Sequence, residues 1–349
     1  MAFFPGEILK CVVYIAYKMA DGTFRFAGTA FLIDRPAAID LPQYGLGYVV
    51  TARHVIEGIR STGLNEIFVC AKRKDGNVGF WQTNVEDWVF HQDPTCDLSA
   101  TRLRIVSQID HLSISPPLWR DSVSSADLEP AIGDEIYIAG FFSHQIMAGG
   151  LYPVLRIGNI AALRNESIST AMGLVDAYLV ETRSFSGLSG SPVFRRASGF
   201  RAGTFVMCDP DFYLLGVIHG HFDIQSPNIG RERNAQQNHV NMGIGIVTPA
   251  DKLAELMAQF DDLEKSEIED LRAALPVWVD PSDLRFEFVK RAQGATLISR
   301  TRIIKKPEAI SVSLMIGESR LEMIDASRLE MLGASGLLET HKKEDEPQK

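Results

Sequence analysis

The chain has 349 residues, 46% hydrophobic and 23% charged, a composition ordinary for globular proteins and far from that of disorder. The net charge is −9 with a pI near 5.4, and no Lys/Arg stripe is interleaved with aromatics, which argues against a nucleic-acid partner. No run of about 18 apolar residues occurs, so neither a transmembrane helix nor a membrane partner is expected, and at roughly 100–200 residues per domain one to three domains fit.

The first residues carry no basic leader and no small-residue cleavage site. Cys11-Val12-Val13-Tyr14-Ile15-Ala16-Tyr17 is short and rich in β-formers, and reads as a strand rather than a signal peptide. Short β-rich runs separated by turns then follow at 12–17, 29–33, 48–51, 67–72, 135–140, 178–181, 192–194, 214–218 and 244–247. Many short strands at this spacing predict a sandwich or barrel. One short helix is expected after His54, over 55–59.

The pattern changes at Thr248-Pro249. Thr248 suits an N-cap and Pro249 a first helical turn. Leu253, Leu256, Met257 and Phe260 recur at helical spacing on one apolar face. Ser266 and Glu269 fit a capping box that would open a second helix, which Pro276 would stop. Beyond it, 284–289, 295–304 and 310–316 read as strands and 320–332 as a helix. The last residues, HKKEDEPQK, form a charged tail expected to be disordered.

The cysteines Cys11, Cys70, Cys96 and Cys208 are far apart, with no metal-type spacing. Without a leader they read as reduced buried thiols, which places the chain in the cytoplasm.

Three local motifs bear chemistry. In Thr51-Ala52-Arg53-His54-Val55 a buried strand presents a histidine at its exit; alone, such a histidine reads as structural. In Cys96-Asp97-Leu98 an acid stands at the mouth of an apolar segment, where it can accept an imidazole Nδ1 proton and steady the imidazolium; alone, it reads as a turn residue. Ser186-Gly187-Leu188-Ser189-Gly190-Ser191-Pro192 is the strongest of the three. Two glycines bracket Ser189, so the backbone can turn tightly and aim the Gly187 and Ser189 amides at one point, a candidate oxyanion hole. Such donors are worth roughly 3–4 kcal/mol each.

The order His, Asp, Ser along the chain is that of chymotrypsin, and with these motifs the chain resembles the trypsin-like serine peptidases, especially the HtrA/Deg and glutamyl-endopeptidase branches. Further matches are Gly28-Thr29-Ala30-Phe31, Gly133-Asp134-Glu135-Ile136-Tyr137-Ile138-Ala139-Gly140, Gly216-Val217-Ile218 and Met242-Gly243-Ile244-Gly245. The resemblance covers roughly residues 9–260. It implies a mainly β fold, a chymotrypsin-like double antiparallel β-barrel of six strands each, with the active site between the barrels. The peptidase domain would span 1–261, with barrels near 9–120 and 130–250 closed by a helix over 249–261. A small α+β appendage would follow over 262–338, then the tail over 339–349.

The activity implied is peptide-bond hydrolysis through a catalytic triad of His54, Asp97 and Ser189, on a protein or peptide substrate, with no metal and no cofactor. The substrate pocket would have Arg183 at its base and His219, Gly220, His221, Met242 and Gly243 on its walls. Two readings of Arg183 stand: a charged base that selects acidic side chains, or a side chain turned to solvent beside an apolar pocket. The glutamyl endopeptidases carry a histidine where this chain has Ile218. His219 comes one residue later, and a one-residue offset turns a strand side chain to the opposite face.

Two departures from the family pattern stand out. Leu188 occupies the place of an Asp or Asn, which excludes activation by pairing with a freed N-terminus. Arg53 replaces a smaller residue beside His54 and is expected to point to solvent. No recognisable carboxylate-binding loop follows, so no PDZ domain is expected. The appendage either docks a partner or a second copy, or covers the peptidase surface. The alternative to an enzyme is a peptide- or protein-binding module on a catalytically silent protease scaffold. Acyl transfer on a non-peptide ester would call for a lipase-type elbow that this strand-rich pattern lacks.

Overall fold

The structure is a computed structural model that describes residues 4–35, 46–103, 109–119, 129–141, 152–164, 167–170, 173–182, 187–197, 199–201, 204–206, 211–225 and 239–273, and five short strands beyond them. In the N-terminal half the order is β1 (Val12–Lys18), β2 (Phe24–Arg35), β3 (Leu46–Thr51), α1 (Arg53–Ser61), β4 (Glu66–Lys72), β5 (Val78–Asn84), β6 (Val89–Phe90), β7 (Ser99–Leu103) and α2 (Pro116–Trp119). The strands make one antiparallel sheet in the order β5-β4-β1-β2-β3-β7-β6. Among the described residues this sheet has seven strands and an open edge, where the family resemblance implies six strands and closure.

Alternation of apolar residues gives the sheet its inner face. Val13 and Ile15 of β1, Leu32 of β2, Val49 of β3 and Ile67 and Val69 of β4 meet in one buried cluster. Helix α1 adds Val55, Ile56 and Ile59 to it, the spacing that one helical face supplies. Burying each such side chain contributes about 1.5–3 kcal/mol, which holds α1, and so His54, against the end of β3.

The second half contains β8 (Glu135–Gly140), β9 (Val154–Ala162), β10 (Ile168–Thr170), β11 (Gly173–Val175), β12 (Tyr178–Glu181), β13 (Pro192–Arg196), β14 (Gly199–Arg201), β15 (Thr204–Val206), β16 (Phe212–Gln225) and β17 (His239–Pro249). Six of these close a barrel in the order β12-β17-β16-β13-β8-β9, while β10–β11 and β14–β15 form separate hairpins. Ile136, Ile138, Ile160, Val180, Val193, Leu215, Ile218 and Val247 fill the barrel. The fold is thus mainly β, with this closed barrel, the curled first sheet and a helix following β17.

That helix, α3 (Ala250–Ala273), is a single rod of 24 residues. The second helix expected to open at Ser266 is therefore part of the first. Asp261-Asp262-Leu263-Glu264-Lys265 contains no Gly or Pro, so adding residues to an existing helix outcompetes capping a new one. Thr248 and Pro249, expected to cap and open the helix, are the last residues of β17, paired with Val217 and Gly216.

The chain divides into two units, Met1–Pro36 with Leu46–Gln259, and Ala37–Gly45 with Phe260–Lys349. In the second, β18 (Leu284–Val289) pairs with β19 (Ile298–Ile303), and β20 (Ser311–Ile316) pairs with both β21 (Ser319–Ile324) and β22 (Leu338–Thr340). The helix expected over 320–332 is overturned at its start, where β21 is a strand. Leu321 and Met323 alternate with Arg320 and Glu322, a period-two pattern, and a hairpin partner is present in register, Leu314 facing Leu321 and Val312 facing Met323. Residues 325–337, Pro276 and the charged tail beyond Thr340 lie outside the described residues.

A buried threonine links the first sheet to the barrel. The Thr29 hydroxyl donates to the Gly187 carbonyl (2.6 Å) and accepts from the Phe141 amide (2.9 Å). Thr29→Val keeps the shape but strands the buried Phe141 N–H. We expect a loss of about 1–3 kcal/mol in denaturant unfolding, with Thr29→Ser within about 1 kcal/mol of wild type.

Candidate active site

Strand β3 ends at Thr51, Ala52 is still extended, and α1 begins at Arg53, so His54 stands in the first helical turn. Ala52 offers no side-chain cap to the orphan amides of that turn. Asp97 replaces it from a distance, accepting the His54 amide N–H on Oδ1 at 2.8 Å. Its other oxygen lies 2.6 Å from His54 Nδ1. One carboxylate thus caps the helix, complements its dipole and holds the imidazole.

Asp97 is fully buried while the His54 ring keeps 40% of its side-chain surface exposed. An acceptor fixed at Nδ1 puts the proton there and leaves the Nε2 lone pair for a substrate or nucleophile proton. Burial works against the charged ring, but the hydrogen bond and charge of Asp97, helped by Glu57, outweigh it and raise the His54 pKa above its ordinary 6.5. Charging His54 therefore stabilises the fold. That contribution is full below 6.5 and fades as pH rises through the raised value.

The loop before Asp97 is tied down by its own bonds. Asp93 accepts from the Thr95 amide and hydroxyl, and the Cys96 amide donates to the Asp93 carbonyl. Burial pushes the neighbouring Cys96 thiol up to about 12, so it is no competing nucleophile. Cys11, Cys70 and Cys96 are all buried free thiols, and Cys208 lies outside the described residues. Arg53 does not stand free in solvent as expected: its Nε donates to Glu57 at 2.8 Å, and its guanidinium lies over the Phe90 ring at 5.0 Å.

The Ser189 loop crosses the middle of β2. The Thr29 amide donates to the Ser189 carbonyl, and the Ser191 amide donates to the Leu188 carbonyl to close the turn. Gly187 and Gly190 both sit at positive φ, 100° and 84°. Gly190 is pressed so close to the first sheet that a Cβ there would fall 2.2 Å from the Thr29 carbonyl and 3.0 Å from the Ala52 amide. A Cβ at Gly28 would meet both the Ser189 carbonyl, at 3.1 Å, and Val55 of α1, at 2.8 Å. The Ser189 loop and the start of the His54 helix therefore share one small patch of β2.

Among the described residues no acceptor occupies the Gly187 or Ser189 amides, and no hydrogen bond joins Ser189 Oγ to His54. In resting sites such contacts are commonly long and tighten with substrate. Leu188 is buried, its Cδ2 2.7 Å from where a Gly140 Cβ would stand.

Of the expected pocket residues, Gly220 and His221 pair across to Ile246 and Gly245, and the Gly243 carbonyl accepts the Thr182 amide at 2.8 Å. Met242 lies on β17, and Arg183 lies outside the described residues. His219, expected on the pocket wall, has Nε2 3.7 Å from Asp97 Oδ2. Among the described residues no cluster of three metal-ligating side chains occurs.

Sequence reasoning missed the roles of Thr29 and Thr51. Gly28-Thr29 was visible as a motif, but that its hydroxyl meets a loop 158 positions away was not. Thr51 Oγ1 donates to the Thr29 carbonyl, completing the link between the strand of the histidine and the loop of the serine.

Replacing Asp97 by Asn removes the charge that raises His54 and offers it an amide in place of a carboxylate. The His54 titration, followed by proton NMR, should move to lower pH. Modification of Ser189 by an acylating probe should fall by about 10⁴-fold.

No family model matches the chain, and no curated protein matches it. Solved structures do. The MamO protease domain from Magnetospirillum magneticum, in its apo form, matches at 14% identity over 71% of this chain and 96% of its own, with a TM-score of 0.40. An inactive mutant form of Rv3671c from M. tuberculosis matches at 18% identity over 72% of this chain and 88% of its own, with a TM-score of 0.37. The inactive form of the Rv3671c protease matches at 19% identity, over 72% and 89%, with a TM-score of 0.38.

Proposed function

We propose that this chain is a serine endopeptidase that cleaves peptide bonds through His54, Asp97 and Ser189. The observation that carries the reading is the buried Asp97 carboxylate, bonded at once to the His54 amide and to Nδ1. It fixes both the place and the tautomer of a histidine whose helix abuts the Ser189 loop.

In this reading the Ser189 oxygen attacks the scissile carbonyl as His54 Nε2 takes the hydroxyl proton. The carbonyl oxygen gains negative charge facing the Gly187 and Ser189 amides, and Asp97 steadies the imidazolium. His54 then returns the proton to the leaving amine as the C–N bond breaks, which leaves Ser189 acylated. Water, deprotonated by His54, cleaves the acyl-oxygen bond and restores the serine. The substrate is an extended protein or peptide segment, and no step calls for a metal or cofactor.

A fluorophosphonate probe should label the wild-type chain at Ser189 and spare Ser189→Ala; equal labelling of both would overturn the proposal. A peptide-library digest run beside it reads the preferred side chain before the cut. Peptide binding with no adduct and no cleavage would identify a silent scaffold instead.

A further inference from the structure

Helix α3 lies against the loop that carries Asp97, and one buried histidine joins the two. Gln259 of α3 brackets the start of the loop: its Oε1 accepts the Gln92 amide at 3.2 Å, and its Nε2 donates to the Phe90 carbonyl at 3.4 Å. Between these two residues stands His91, whose side chain has no exposed surface. Its own amide donates to the Leu98 carbonyl at 3.1 Å and so closes the loop of residues 91–98. Its Nδ1 accepts the Asp93 amide at 3.1 Å. Asp93 is the knot of the loop, since its carboxylate holds the Thr95 amide and hydroxyl and its carbonyl holds the Cys96 amide. Asp97 is the next residue.

An N–H accepted at Nδ1 requires a bare lone pair there, so the neutral ring carries its proton on Nε2. That Nε2 is buried and lies 3.3 Å from Glu255 Oε2 without an aligned hydrogen bond. Glu255 is engaged on its other oxygen, which accepts from Lys252 Nζ at 2.8 Å. A second proton on the ring would have to sit on Nδ1, facing the Asp93 N–H. Two donors cannot share that contact. The Asp93 amide must then turn away, which pulls on the bonds that Thr95 and Cys96 make to the same residue.

We propose that His91 is an acid-operated latch between α3 and the Asp97 loop: neutral, it clamps the loop onto the helix; protonated, it lets the loop go and Asp97 with it. The latch is a property of the fold, and its effect on Ser189 rests on the endopeptidase reading. The charged groups facing the ring are Glu255 and Lys252 of α3 and Asp93 of its own loop. Burial, helped by Lys252 and opposed by Glu255 and Asp93, lowers the His91 pKa below its ordinary 6.5. The folded chain then binds fewer protons than the unfolded one. The closed latch is therefore fully stabilising above pH 6.5 and loses ground as pH falls below it through the lowered value. His54, whose pKa is raised, charges earlier on the way down, so the two events separate.

The loop carries its own reporter, the buried free thiol of Cys96. The test uses the full-length chain and its His91→Asn variant, in which a side-chain carbonyl can take the Asp93 amide but gains no proton. Thiols are trapped with a dipyridyl disulfide across about pH 5–8 and located by mass spectrometry, each rate divided by that of glutathione at the same pH. In the wild-type chain the relative Cys96 rate should rise about 10-fold or more toward acid while Cys11 and Cys70 stay protected, and in His91→Asn it should stay flat. The midpoint of the rise should match that of His91 followed by proton NMR, below 6.5. A flat Cys96 rate in the wild type overturns the proposal. So does a rise shared by Cys11 and Cys70, which is unfolding of the whole unit, a rise that persists in His91→Asn, or a midpoint that is not that of His91. If the variant does not fold, the match of midpoints and the protection of Cys11 and Cys70 decide. Fluorophosphonate labelling of Ser189 over the same range separates the two readings. The wild type should lose rate more steeply toward acid than His91→Asn, and equal slopes overturn the latch as a control of the site. No labelling at any pH sinks the endopeptidase reading, while Cys96 still decides the latch.

Discussion

Thr29 is where the first sheet and the closed barrel are stitched together. Its amide donates to the Ser189 carbonyl and its hydroxyl to the Gly187 carbonyl, while the hydroxyl accepts from the Phe141 amide and the carbonyl accepts from Thr51 Oγ1. The residue is fully buried, so each of these groups would be costly to leave unpaired. The loop that carries the serine cannot drift from the strand that leads to the histidine without breaking several bonds at once. The close approach at Gly190 follows from the same stitch, since only a residue without a Cβ lets the loop settle on the Thr29 carbonyl and Thr51 hydroxyl.

Asp97 performs for the helix what Thr29 performs for the sheets. An α-helix that starts with Ala at its cap leaves amides without partners, and Asp97 satisfies one of them with an oxygen from another part of the chain. The oxygen left over holds Nδ1. Capping and tautomer selection are therefore a single act, and the acid is held in place by helix stability as well as by chemistry. Arg53, adjacent to the histidine, is drawn off by Glu57 and the Phe90 ring, and Glu57 adds to the field that favours the imidazolium.

The β16 bulge shows how a local irregularity reorders a site. Counted as a regular strand, Ile218 and His219 point to opposite faces, while the family resemblance put His219 on the pocket wall. The extra residue breaks the count, and the ring turns to Asp97. In the same way, the alternation of Leu321 and Met323 competed with a helical reading, and only the facing strand from Ser311 to Ile316 selected between them.

The amino-acid sequence by itself determined the strand-rich character of the chain, because alternating apolar residues encode one buried face over a few positions. It also determined the glycine-bracketed serine turn, because positive φ at Gly187 and Gly190 demands residues without a Cβ. These are local properties, carried by neighbours along the chain. The tertiary structure alone decided that Asp97 caps the helix of His54, that Thr29 joins two sheets, that α3 runs through Ser266 unbroken, and that His219 faces a carboxylate. Three of these are pairings between distant segments, whose geometry depends on register and packing that no short stretch of sequence contains. The fourth is a competition between two locally acceptable caps, which cooperative growth of one long helix resolves.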